Sequence, residues 1–328
     1  MKKIVIDSRG YSTTTGRYAR KLIEYLEELE QGSDEHEYVV LLFSHELNDY
    51  TPKNPLFSKL AADFPHYGLA EQFGFKKFLE GLRADLVHFT MPQQPIFYRG
   101  KTVTTVHDLT LLKVYPGNRN KLLYKLKQAA GGFVFRRIAN KSEHIITPSQ
   151  FTKEDYITFL TKTRIIPATG MILAKYENKI TVTHESADVN TDKPLPYKPL
   201  FDKKYIMYVG QQSNYKNLRR LMRAHQQLLT THPSLQLVFV GKPGANGEKD
   251  KLWAEQQNFK NIVYTGFVSD AQLAWLYQNC QAYVFPSLME GFGLPGLEAM
   301  GYGAPVVGSN ATSLPEIYGD AAIYFAPA

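Results

Sequence analysis

The chain has 328 residues, 44% of them hydrophobic and 21% charged. That is long enough for two domains and ordinary for a soluble globular protein, so fibrous and low-complexity classes are excluded. One cysteine, Cys280, excludes an internal disulfide framework and reads as a core residue at an apolar helix end. The net charge of +7 and pI near 9.1 suit a nucleotide, a phosphorylated ligand or an anionic membrane face, without choosing among them.

The amino terminus has two lysines and then only Ile4, Val5 and Ile6 before Asp7. That is too short for a signal peptide, and no apolar run reaches the ~18 residues of a membrane span. A cytoplasmic protein is expected. Lys3 to Ile6 reads as a strand, Ser8 to Thr15 as a polar loop, and Gly16 as the opening of a helix with apolar residues close to a 3.6 period. A strand from Tyr38 to Phe43 completes a βαβ opening. Its loop is not G-x-G-x-x-G, which argues against a nicotinamide cofactor. Asn48 to Leu69 is rich in proline and aromatics, has no clear period, and reads as a variable loop region. Strands are expected at Asp85 to Phe89 and Thr102 to Val106. The second ends in His107-Asp108, which at a strand's carboxyl end can serve chemistry or structure.

Lys113 to His144 is basic and partly amphipathic, with Lys125, Lys127, Arg136 and Arg137 set among Leu126, Phe133 and Phe135. Such a stretch can bind an anionic membrane face weakly. Gly131-Gly132 interrupts it, and an ordinary solvated helix pair is the competing reading. Ile145 to Pro148 reads as a strand, with Ser149 capping the next helix. Lys162 to Asn178 reads as an inserted or remodelled loop. The proline-rich run Asp192 to Pro199 is a stiff connection. It divides the chain into domains 1–189 and 190–328.

The second half opens with a strand, Tyr205 to Val209, then Gly210, and a helix beginning at Lys216-Asn217. Strands at Leu235 to Val240 and Ile262 to Thr265 follow, and Ser269 caps the helix Asp270 to Asn279. The run Gly241-Lys242-Pro243-Gly244 is not a P-loop. Ala282 to Phe285 is a short buried strand stopped by Pro286. A glycine loop and a helix with Pro295 in its first turn come next, then a strand from Pro305 to Gly308. In open α/β sheets such a loop lies where ligands bind. Gly291 and Gly293 permit close approach to the backbone, and amides at the helix start favour an anion. Glu290 and Glu298, eight positions apart, can face one cleft and accept from a polyhydroxyl ligand. The bland alternative is a dipole-complementing Glu298 and a solvated Glu290.

The segment Pro286 to Val306 resembles the donor-site signature of glycosyltransferase family 4, P-S-x-x-E-G-F-G-L-P-x-L-E-A-M-x-x-G-x-P-V, with its paired glutamates at Glu290 and Glu298. The resemblance implies a retaining enzyme of α/β class with the GT-B fold, two facing Rossmann-like domains with parallel sheets and a cleft between them. It implies an amino-terminal acceptor-side domain and a carboxyl-terminal domain binding a nucleotide sugar. The family's terminal crossing helix has no counterpart before Ala328. By the same resemblance Glu290 and His107 serve catalysis at the sugar, and Asp108 lies beside the acceptor. Gly16, Lys216, Phe267, Val268, Phe292, Gly293, Leu294 and Glu298 bind the donor. The family's usual Gly-x-Gly-Arg-Tyr run reads Thr14-Thr15-Gly16-Arg17-Tyr18 here. Its usual phosphate arginine is replaced by Gln211 or Tyr215, leaving Arg17, Arg219 and Arg220 as candidates to compensate.

The expected activity is transfer of a hexose from a nucleotide-diphospho sugar, UDP-glucose ahead of GDP-mannose, to a hydroxyl acceptor. No cofactor, nucleic acid partner or metal is expected, since neither Asp-x-Asp nor a His/Cys cluster occurs. The competing functions are a noncatalytic nucleotide-sugar-binding protein and a GT-B sugar-nucleotide epimerase.

Overall fold

A computed structural model describes residues 1–13, 15–114, 121–161, 170–189 and 193–327, with the side chains of 121–123 and 170–173 left aside. The chain divides into two compact units. One comprises Met1–Leu112, Lys125–Pro148 and Thr152–Thr183, and the other Lys113–Tyr124, Ser149–Phe151 and His184–Ala328.

The first unit holds a seven-stranded parallel sheet in the order β3-β2-β1-β4-β5-β6-β7. Its strands are β1 Lys2–Asp7, β2 His36–Leu42, β3 Phe57–Ala61, β4 Leu86–Phe89, β5 Thr102–Thr105, β6 His144–Thr147 and β7 Ile180–Val182. Strands of a parallel sheet covered on both faces read as short apolar runs such as Ile4-Val5-Ile6, of which Val5 and Ile6 are fully buried, rather than as alternating patterns. The second unit repeats the plan with six strands ordered β10-β9-β8-β11-β12-β13. They are β8 Tyr205–Val209, β9 Gln236–Val240, β10 Ile262–Gly266, β11 Ala282–Phe285, β12 Val306–Ser309 and β13 Ala322–Phe325. Both sheets reverse direction of build once, between β1 and β4 and between β8 and β11. Loops on either side of such a switch point diverge and leave a crevice at the carboxyl ends of the strands.

Three expectations are corrected. The segment expected as a loop from Asn48 to Leu69 contains β3. This edge strand is short and carries Lys59, whose ammonium is absorbed by the carbonyls of Leu47 and Tyr50, both at 2.6 Å. The basic stretch is one helix, Lys121–Lys141, running through Gly131-Gly132. A Cβ on Gly131 would sit 3.0 Å from Leu112 Cδ2, so the glycine permits close packing and does not break the helix. Ser149 immediately precedes the helix Gln150–Thr161. Its hydroxyl donates to the Gly291 carbonyl at 2.6 Å, while the Gln150 and Phe151 amides donate to the Glu316 carboxylate at 2.6 and 2.9 Å. The supposed loop after 162 holds a helix at Gly170–Glu177, and 162–169 lie outside the described residues. Among the described residues no helix is long and apolar enough to cross a membrane.

Candidate active site

In the second unit the site residues gather at the switch point. Lys216 follows β8, at the end of a 3₁₀ turn Asn214–Lys216, rather than opening the next helix, which begins at Leu218. Asn217 takes a left-handed conformation, φ 59°, between the two. Glu290 follows β11. Because β8 and β11 are neighbours, the two loops run side by side, and the Leu288 amide donates to the Tyr215 carbonyl at 2.8 Å. The Lys216 ammonium then meets the Glu290 carboxylate at 2.5 Å, with both side chains nearly nine-tenths buried. It also lies 4.9 Å from the centre of the Tyr215 ring and 5.2 Å from that of Phe285, whose faces favour a cation.

The glycine loop is held from behind. Carbonyls of Ser287, Glu290, Gly291, Phe292 and Gly293 accept from Ser309, Ser313, Ser149, Ser313 and Tyr318 hydroxyls respectively. The Glu290 amide donates to Thr312 Oγ1 at 3.0 Å. With its carbonyls turned inward, the loop directs amides the other way, and those of Phe292 and Gly293 have no acceptor among the described residues. Gly293 has φ 115°, and a Cβ there would lie 2.6 Å from Leu314 Cδ2, so no other residue fits the turn into the helix Leu294–Gly301. Thr312 is a β-branched residue at φ 58°, an uncommon conformation maintained by its place in this network.

Glu298 projects from that helix and accepts from Tyr277 Oη at 3.5 Å. Burial raises the pKa of Tyr277, with Glu298 adding to it, and burial together with Glu290 raises those of Tyr208 and Tyr318. These phenols therefore stay protonated and act as donors. Tyr318 is in electrostatic reach of both glutamates, so the two carboxylates share one tyrosine-lined neighbourhood. Phe292 is buried, its ring centre 6.0 Å from that of His184, while Phe267 is 81% exposed and Val268 belongs to the core. Of the arginines considered as substitutes, Arg219 pairs with Asp250 at 2.6 Å and Arg220 donates to the Pro327 carbonyl at 2.9 Å. Among the described residues no three His, Cys, Asp or Glu side chains converge to hold a metal ion.

In the first unit His107 follows β5, and its Nε2 donates to the Thr90 carbonyl at 2.9 Å. A carbonyl only accepts, so the proton resides on Nε2 and a neutral ring leaves Nδ1 as acceptor. Tyr18 meets the imidazole edge-on at 4.8 Å. Its hydroxyl is 3.0 Å from Thr105 Oγ1, which is 2.9 Å from His88 Nε2. Burial, helped by His107, pushes the His88 pKa down to about 4. Asp108 Oδ1 accepts from the Thr110 amide at 2.7 Å and thereby shapes the following turn. Gly16 has a steric reason for its identity, since a Cβ would lie 2.3 Å from the Gly10 and Tyr11 carbonyls. The loop before it is folded on buried Glu46, which accepts from the Gly10 and Ser12 amides at 3.0 and 3.1 Å.

Sequence reasoning missed Thr312, Ser313, Tyr318 and Glu46. They lie up to 36 positions from the groups they hold, and no local pattern links them.

The family model described as Glycosyltransferase Family 4 matches residues 15–168, and that described as Glycosyl transferases group 1 matches residues 196–327. The O-antigen chain mannosyltransferase B of Escherichia coli is 31% identical over 240 residues, 69% of this chain and 58% of that protein. The serotype-specific mannosyltransferase WbdA of Escherichia coli is 59% identical over 58 residues, 18% of this chain and 7% of its own length. The chain thus spans well under two thirds of either relative. Among solved structures, sucrose-phosphate synthase from Thermosynechococcus elongatus superposes with a TM-score of 0.70 at 16% identity, covering 100% of this chain and 86% of that one, a likeness of fold alone. With two parallel-sheet Rossmann-like units of GT-B type and a family model matching each half, the chain belongs to glycosyltransferase family 4, the glycosyl transferases of group 1.

Proposed function

We propose that the chain transfers a hexose, with retention at the anomeric carbon and without a metal, from a nucleotide-diphospho sugar to a hydroxyl acceptor. The observation that carries this reading is the Lys216–Glu290 contact at the β8/β11 switch point, a cation and a carboxylate side by side at a ligand crevice. The ammonium has three donors, enough to bridge Glu290 and a phosphate oxygen. Lys216 and the amides at the start of the helix Leu294–Gly301 would stabilise the departing diphosphate. Glu290 and the amides of Phe292, Gly293 and Leu294 would hold the sugar hydroxyls, and Glu298 the ribose. Gly16 would lie near the phosphates and the backbone at Phe267 and Val268 near the base. His107 would contact the sugar, and Asp108 the acceptor.

In the step proposed, the bond from C1 to the phosphate oxygen breaks and a bond from C1 to the acceptor oxygen forms on the same face. The acceptor's proton goes to the departing phosphate oxygen, and a nucleoside diphosphate leaves. Positive charge develops at the sugar, where the Glu290 carboxylate gains value. For the sugar we favour mannose, because the two relatives above are named mannosyltransferases, with UDP-glucose as the second donor.

The test is incubation with GDP-mannose and UDP-glucose, each with a panel of hydroxyl acceptors and excess chelator, with products read by NMR. A new glycoside of the donor's anomeric configuration supports the reading. An altered donor sugar points to an epimerase, and binding without product to a noncatalytic module. Activity abolished by chelator and restored by magnesium or manganese overturns the metal-free step.

A further inference from the structure

One stretch of the first unit exposes what a folded chain usually covers. Tyr67, Leu69 and Phe73 are 73%, 77% and 64% exposed, three large apolar side chains in close succession. Exposed apolar groups gathered in this way mark ligand-binding surfaces. They belong to the segment 62–75, which leaves the edge strand β3 and crosses the carboxyl ends of β1 and β4. The crossing is pinned by Arg9, two residues past β1, whose side chain is fully buried. Its Nε and one terminal nitrogen donate to the Asp7 carboxylate, both at 2.8 Å, and the other terminal nitrogen donates to the Phe64 carbonyl. The guanidinium also donates to Glu71 at 3.2 Å and lies 3.7 Å over the Phe75 ring. Glu71 in turn accepts from the Tyr67 amide at 3.0 Å. Gln72 donates to the Gln94 carbonyl and accepts from the Ile96 amide, both at 3.1 Å, which ties the segment to the loop after β4. Ala70–Phe75 winds as a π-helix, a form frequent at functional sites. A buried network satisfied at this many points holds the exposed rings in place.

Tyr67 is at the centre. Its backbone is left-handed, φ 65°, an uncommon state for an aromatic residue, although Gly68 beside it could make the bend freely. Strained residues of this kind persist where their surroundings hold them, and they gather at ligand sites. The Tyr67 hydroxyl accepts from the Gln93 amide, and no described residue takes its proton. Gln93 Oε1 is shielded from water and has no hydrogen-bond partner. Exchanging the amide's oxygen and nitrogen only leaves the nitrogen unpaired instead. An aromatic face with a hydroxyl donor and an amide at its rim matches a sugar ring, which has an apolar C–H face and hydroxyls at its edge. An acyl chain would match the ring faces and leave the amide and the hydroxyl unanswered. The loop that carries Gln93 begins at Thr90, whose carbonyl holds His107. Three residues of chain span at most ~11 Å, so one oligosaccharide can reach from His107 to Tyr67.

We propose that Tyr67, with Gln93 at its rim, is a subsite for an inner sugar of an oligosaccharide acceptor whose end residue lies at His107 and Asp108. Naming that ligand an acceptor rests on the transfer reaction proposed above, whereas saccharide binding does not. The experiment is saturation-transfer NMR on the full chain without donor, using linear trisaccharides of mannose, glucose and galactose and the matching monosaccharides. At least one trisaccharide should bind more tightly than its monosaccharide. Tyr67→Gly removes the ring and relieves the backbone, so it should melt like the parent. It should nevertheless bind that trisaccharide about tenfold more weakly, the worth of one stacked ring, and bind the monosaccharide as the parent does. Tyr67→Phe keeps the ring and should bind within a few-fold of the parent. In kinetics with donor, Tyr67→Gly should raise KM for the trisaccharide about tenfold and leave kcat unchanged. No trisaccharide binding, parent-like binding by Tyr67→Gly, or a loss shared equally by mono- and trisaccharide overturns the subsite. Transfer to a trisaccharide with parental KM in Tyr67→Gly refutes the subsite and leaves the transfer reaction standing. Binding that depends on Tyr67 with no glycosyl transfer upholds the subsite and refutes the transfer reaction.

Discussion

Changing Glu290 or Glu298 to glutamine removes one charge and almost no volume, so the two variants isolate electrostatics at the proposed site. Glu290 loses a 2.5 Å ion pair with Lys216, though the amide oxygen can still accept from the ammonium. For a pair still partly exposed to water, that loss should cost about 1 kcal/mol of stability. In a unit of this size it lowers the melting temperature by ~2–4 °C. Glu298 loses charge on a 3.5 Å contact with Tyr277, a weaker bond, so a smaller shift is expected. Their kinetic effects should differ far more. Beside the sugar, Glu290 would interact more strongly as positive charge develops, and glutamine should lower kcat about a hundredfold to a thousandfold, or ~2.7–4 kcal/mol. Glu298, on the unreacting ribose, would bind ground and transition states alike, and its variant should chiefly raise KM. The assay is donor-saturation kinetics beside thermal melts. If both variants melt like the parent and show the same kinetic defect, the division of roles is wrong. If both lose stability and activity together, the carboxylates are structural.

Lys216→Ala should weaken donor binding by roughly tenfold to a hundredfold, the worth of one charge-assisted hydrogen bond, and leave acceptor affinity unchanged. Titration calorimetry with the nucleoside diphosphate measures it, and an unchanged donor constant counts against the phosphate role. His88 offers a test by pH. Its pKa falls from 6.5 to about 4 on folding, so the unfolded chain takes the proton first. Its contribution is complete above pH 6.5 and is lost as pH falls from 6.5 toward 4, by up to about 3 kcal/mol. His88→Gln, less stable at neutral pH, should lose less stability than the parent across that window in urea titrations. Equal slopes would mean that His88 is already free to protonate in the folded state.

Much of this architecture is legible in the linear chain because it rests on local chemistry. Ala282 to Phe285 reads as a strand and is one, and Ser269 reads as a helix cap and accepts from the Gln272 amide. Glycines and a proline mark the loop and helix around Glu290 and Glu298, since turn geometry constrains residue type over a few positions. The edge strand at Phe57–Ala61 was hidden because an edge needs neither continuous apolarity nor a period, only one neighbour to pair with. The unbroken helix at Gly131-Gly132 was hidden because the reason for glycine there is a side chain, Leu112, from another segment. Tertiary structure alone decided the partners. Strand order put β8 beside β11, and so brought Lys216 within 2.5 Å of Glu290 across 74 positions. It also decided that Glu316 would accept from the Gln150 and Phe151 amides at the start of the helix after Ser149, and that Thr312, Ser313 and Tyr318 would turn the loop's carbonyls inward. A hydrogen bond depends on where atoms lie in space, and separation along the chain carries no information about that until the sheet has ordered its strands.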